Sequence, residues 1–158
     1  MLTIHAADEV RPSWDEGAEP VKDGAVLVSG TRVEAVGPFA VLRERHPDAR
    51  VRRWPGVLGP ARVHEGPLPD APSPRERIHA VLKLGATAVT EQYAASPELR
   101  AAAERNEVRV LSATPTPTPT PTPAPRLEPA ARADLAVFDD TGACLATVCA
   151  GRLVHRRR

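Results

Sequence analysis

Residues 23–37 read DGAVLVSGTRVEAVG, and the fold of the chain turns on what this stretch pairs with. Ala25 to Val28 is a run of small and β-branched residues. Ser29-Gly30 follows as a two-residue turn, and Val33 to Val36 is a second β-rich run stopped by Gly37-Pro38. Two such runs about a glycine-containing pair predict a hairpin, because glycine takes the positive φ that these turns need. Val33 and Ala35 face one way, Glu34 and Val36 the other, so one face is only partly solvated. A lone hairpin is marginal in water, and its partners must come from elsewhere in the chain.

The 158 residues allow one domain, or one domain with an appendage. An apolar fraction of 42% permits a core, and with aromatics at 3% that core must be built of Val, Leu and Ala. The net charge of +1 argues against a nucleic-acid footprint, and the basic end from His155 to Arg158 reads as a solvated tail. Cys144 and Cys149, five apart on one strand, point to opposite faces and are not expected to pair. No run approaches 18 apolar residues and no signal sequence opens the chain, so a soluble, cytoplasmic, bacterial protein is expected.

In order, Leu2 to Ala6 predicts a strand. Asp8 to Glu19 predicts a loop in which Trp14 packs as a lid. After the hairpin, Pro38 suits the first position of a short helix ending at Arg45. Ala49 to Trp54 predicts a strand, Pro55-Gly56 a boundary, and Gly59 to Pro74 a surface connection. Ser73-Pro74-Arg75-Glu76 is a capping box opening a helix that buries Ile78, Val81 and Leu82 and stops at Gly85. Ala86 to Thr90 is a strand. Ser96-Pro97 caps a helix through Arg105, and Val108 to Leu111 is a strand, which together make a parallel βαβ unit. Thr114 to Pro123 is five Thr-Pro repeats, expected to form a polyproline II linker of roughly 31 Å. Ala133 to Phe138 is a strand, and Leu145 to Ala150 with Leu153 to His155 form a second hairpin about Gly151-Arg152.

Three segments together resemble the amidohydrolase superfamily, in particular its imidazolonepropionase and aminodeoxyfutalosine deaminase group. Residues 23–60 resemble the β segment that leads into the first barrel strand. Residues 73–89, SPRERIHAVLKLGATAV, resemble the first barrel helix and the next strand. Residues 131–157, ARADLAVFDDTGACLATVCAGRLVHRR, resemble the return from the barrel to the same small β-domain. The resemblance implies an α+β fold. Its parts are a sandwich-like composite β-domain of residues 1–56 and 127–158, a truncated TIM-type barrel fragment of residues 57–112, and a linker of residues 113–126. It also implies metal-dependent hydrolysis of non-peptide carbon–nitrogen bonds, with zinc or iron activating water.

Two departures follow. A (β/α)₈ barrel needs at least about 200 residues, and only about 70 lie between Pro55 and Leu127. The family's His-x-His, registered on Pro60, falls on Gly66 and Leu68. No catalytic residue is therefore assigned and no cofactor is expected for this chain. The candidates nearest a metal position are His64 and Glu65, and Glu91, after the ATAVT strand, is the candidate substrate-binding residue. Three readings follow: a family member inactive as a single chain, a non-catalytic binding or assembly module, and a truncated product that does not fold stably. Exposed strand edges suggest a homo-oligomer or partner chain, with neither nucleic acid nor membrane as partner.

Overall fold

The computed structural model describes residues 2–112 and 125–157. The predicted Thr-Pro linker lies almost wholly outside the described residues. Eight strands form one sheet, ordered β11-β10-β9-β5-β1-β3-β4 with short β2 beside β1. Their ranges are β1 Leu2–Val10, β2 Val21–Lys22, β3 Gly24–Ser29, β4 Arg32–Pro38, β5 Arg50–Pro60, β9 Leu135–Phe138, β10 Cys144–Cys149 and β11 Arg152–Arg156. A second sheet of three parallel strands, β6 Arg62–His64, β7 Ala86–Thr90 and β8 Arg109–Leu111, is ordered as in the chain.

The stretch from Asp23 to Gly37 is the predicted hairpin, β3 and β4, with one correction. Ser29 pairs with Arg32, so the turn is Gly30-Thr31 rather than Ser29-Gly30, and Gly30 carries the positive φ of 59°. The slip follows from a bulge between Leu27 and Val28, which inserts a residue and shifts the register. Pro38 ends β4 and serves as N-cap of α1, Phe39–Arg45, instead of its first residue. In the C-terminal hairpin the turn is Ala150-Gly151, both at positive φ (50° and 81°), rather than Gly151-Arg152. The basic end is not a frayed tail throughout: His155 and Arg156 belong to β11, and Arg157 N donates to Leu145 O at 2.7 Å.

The largest correction concerns Pro55-Gly56. These residues do not end a strand, because β5 runs through them to Pro60. Gly56 lies at φ 93°, and a Cβ there would overlap the carbonyl of Phe138. Only glycine lets the two strands come that close, so the Pro-Gly pair marks a bulge opposite the Ala7/Glu9 irregularity of β1. The continued strand is the seam of the fold. Its first half pairs in parallel with β1, from Thr3↔Arg50 to Ala7↔Trp54. Its second half pairs antiparallel with β9, from Val57↔Phe138 to Pro60↔Leu135. The chain's two ends are joined through β5. Beyond it, the predicted surface connection contains β6.

The sheet buries both faces. On one face Val10, Val26, Val28, Val33, Trp54, Leu58, Leu135 and Val148 form the main core. On the other, Ile4, Ala6, Ala25 and Leu27 pack on Leu42 of α1. The second sheet is covered by α2, Pro74–Lys83, and α3, Pro97–Arg105, around Ile78, Val81, Leu82, Val89 and Leu99. Ser73 and Ser96 cap these helices as predicted, accepting from Glu76 N and Leu99 N. Strand β10 ties the units together by period-two alternation. Ala146 and Val148 enter the main core, while Cys149 enters the helical core and Thr147 Oγ1 donates to Leu82 O at 2.7 Å. Both cysteines are free thiols. No described helix is long and apolar enough to cross a membrane.

One buried group makes the main sheet sensitive to acid. His5 of β1 is 3% exposed, and its Nδ1 accepts from Trp54 Nε1 at 3.4 Å. Burial, then the neighbouring Arg52, lowers its pKa from 6.5 to about 4. Between these values the unfolded chain binds a proton that the folded chain refuses. Stability therefore falls as pH drops from about 6.5 to about 4, by up to about 3 kcal/mol, and this group costs nothing above that window. Urea unfolding of wild type and His5→Gln across the window checks this. The gap between them should narrow as pH falls, and parallel curves would refute it.

Candidate functional site

Parallel α/β units carry their chemistry at the C-terminal ends of the strands. Here those ends are His64-Glu65 after β6, Thr90-Glu91 after β7 and Leu111-Ser112 after β8. The registers His64↔Val89 and Thr90↔Leu111 bring them side by side. The structure thus gathers all three candidates, His64, Glu65 and Glu91, at one rim.

Their side chains are committed to local contacts. His64 Nε2 lies 3.0 Å from Pro67 O, closing the turn that follows β6. Glu65 is exposed. Glu91 opens a short 3-10 turn, Glu91–Tyr93, and accepts from Arg100 of α3 at 2.8 Å. Thr90 Oγ1 is buried beside it without a hydrogen-bond partner among the described residues. No group of three His, Cys, Asp or Glu side chains able to hold a metal occurs among the described residues. Registering the family motif on Pro55-Gly56, the bulge in β5, moves its two histidines to Ala61 and Val63 at the start of β6, and neither side chain can ligate. The zinc or iron that the resemblance implies does not fit these residues.

His64 and Glu65 also line a cleft of about 640 Å³, with Arg62, Lys83, Leu84, Phe138 and Cys144. Its volume suits a small ligand. Two of its lining residues pack together, the Arg62 guanidinium 4.2 Å from the Phe138 centroid, and Trp14 meets Phe138 edge-on with ring centroids 5.5 Å apart. Trp14 is the predicted lid, its indole N–H donating to Pro60 O at 2.7 Å. Neither thiol is poised as a nucleophile. Burial raises the pKa of Cys144, and burial followed by Asp134 pushes Cys149 up to about 11.

One densely bonded buried carboxylate was not a sequence candidate. Asp134 Oδ1 accepts from Arg132 Nε at 3.0 Å and Ala150 N at 2.9 Å, and its Oδ2 lies 3.7 Å from Arg109 of β8. Arg132 also donates to Glu107 O and, at 3.0 Å, to Cys149 Sγ. This cluster fastens the C-terminal strands to the parallel unit. Its signal was the Arg-Ala-Asp triplet before an apolar run, two charges on one face of a segment entering the core.

A family model for the bacterial imidazolonepropionase-like composite domain matches residues 24–49, which are β3, β4, α1 and the turn into β5. That match covers 26 of the 158 residues and is a likeness of this segment to the composite domain. No curated protein matches the sequence. Among solved structures, guanine deaminase from Bradyrhizobium japonicum aligns with a TM-score of 0.53 and 15% identity over 71% of this chain and 34% of its own. E. coli guanine deaminase gives 0.53 and 17% over 71% and 35%, and A. niger ochratoxinase 0.52 and 19% over 70% and 31%. The likeness is one of fold. The chain spans about a third of the length of these structures.

Proposed function

We propose that this chain descends from the metal-dependent amidohydrolases acting on non-peptide carbon–nitrogen bonds and does not catalyse that reaction as a single chain. The observation that carries the reading is the state of the strand rim. His64 is turned onto Pro67 O and Glu91 onto Arg100, so the polar groups at the family's working end serve the local fold. In this reading residues 1–56 and 127–158 form a sandwich-like composite domain, residues 57–112 a truncated barrel fragment and residues 113–126 a linker, in a cytoplasmic protein. Supporting the sandwich-like form, strands from both ends of the chain share one core, and Val33 N and Ala133 N donate to Ala131 O and Thr31 O.

The test loads purified protein with zinc or ferrous iron, measures bound metal after desalting, and assays release of ammonia or ring opening on cyclic amides and amidines. Metal well below one equivalent and no turnover are expected. One tightly held metal per chain with turnover would overturn the proposal.

A second reading, a binding or assembly module, is favoured by the strand edges. Strands β6 and β8 each pair only with β7 among the described residues, leaving both sides of the parallel sheet open. Such edges recruit further strands. Sizing with light scattering distinguishes a monomer from a homo-oligomer built on them.

A further inference from the structure

The seam strand β5 is paired from Arg50 to Leu58 on one side and only from Val57 to Pro60 on the other. Residues 50–54 lie against β1, but β9 joins the opposite side only from Val57 onward. The outer edge of residues 50–55 therefore has no strand partner among the described residues. Arg50, Arg52 and Trp54 project from one face of this segment, two residues apart. Arg156 of β11 reaches the same place, its guanidinium 5.5 Å from the Trp54 ring centroid.

The three arginines are unusual in their company. The seven ion pairs among the described residues involve none of them. Burial, then Arg50 and Arg156, lowers the pKa of Arg52, so the guanidiniums repel one another. A chain with 20 acidic residues leaves these cations unmatched. Like charges held at a free strand edge disfavour pairing with a second copy, which would bring the same arginines together. They favour a strand of the opposite sign.

We propose that the free half-edge of β5 accepts an extended acidic segment of another protein as an added strand. Its main chain would bond the β5 edge, and carboxylates at alternate positions would meet Arg50, Arg52 and Arg156. An added strand supplies backbone donors and acceptors, which an oligonucleotide cannot. Alternate side chains on an extended peptide repeat about every 6.6 Å, the spacing of Arg50 and Arg52 along β5. This deepens the binding-module reading and stands apart from the catalytic one, since neither metal nor turnover enters its test.

The test uses the full chain and a fluorescent peptide alternating valine and glutamate, followed by anisotropy at low and high salt. Binding that weakens with salt is expected, about tenfold or more weaker for Arg52→Glu and Arg156→Glu, and retained by Arg52→Lys. The same peptide N-methylated at alternate residues should not bind. Thermal melts should show both charge reversals folded, since each relieves repulsion. No binding by the wild type, or equal binding by the N-methylated peptide, overturns the proposal. So does equal binding by a thymidine oligonucleotide, which would make the arginines a general polyanion patch.

Discussion

Asp134→Ala lowers the stability of the chain by about 4 kcal/mol, and the parallel unit loosens from the main sheet as it does so. Asp134 is buried and bonded to both Arg132 and the Ala150 amide. Removing it strands the mostly buried Arg132 guanidinium without a counter-charge and leaves a buried N–H without an acceptor. Both penalties exceed the loss of the bonds themselves. Asp134→Asn keeps an acceptor for Ala150 N and falls between. Arg109→Ala removes only a half-exposed partner at 3.7 Å and changes stability by about 0.5 kcal/mol or less. Urea denaturation measures all three. A loss under about 1 kcal/mol for Asp134→Ala would show that the cluster decorates the interface instead of holding it.

Gly151→Ala is expected to cost a similar amount, about 4 kcal/mol, by a different route. Gly151 lies at φ 81°, which an alanine tolerates poorly, and a Cβ there would penetrate the carbonyl of Gly30. The obstacle is backbone, so no rotamer change relieves it. The turn of the N-terminal hairpin and the turn of the C-terminal hairpin touch at this point, 121 residues apart in sequence. Gly142→Ala is the control: its φ is 85°, but its Cβ would meet nothing within 4 Å. It should lose only the conformational part, about 1 kcal/mol. Equal unfolding midpoints for the two variants would mean that the turns do not press on each other.

Legibility in the sequence followed the range of the interaction. The capped helices α2 and α3 lie where Ser73-Pro74 and Ser96-Pro97 announced them, because a cap and its first turn are settled within four residues. The three rim candidates are adjacent because parallel strands align their C-terminal ends, and the βαβ pattern implied that alignment. What those side chains do was not legible. Whether His64 meets a metal or Pro67 O depends on a turn that only the folded chain closes.

The residues themselves determined most of the strands and the two capped helices, since alternation, turn chemistry and caps are local properties of the chain. Tertiary structure alone decided that Pro55-Gly56 is a bulge inside a seam strand and that Asp134 is the hub of the clasp. Each of these depends on groups that only the fold brings alongside, Phe138 for Gly56, and Ala150 and Arg109 for Asp134. Glycine at 56 looks like a stop signal until Phe138 lies against it. Only the packed sheet supplies that contact.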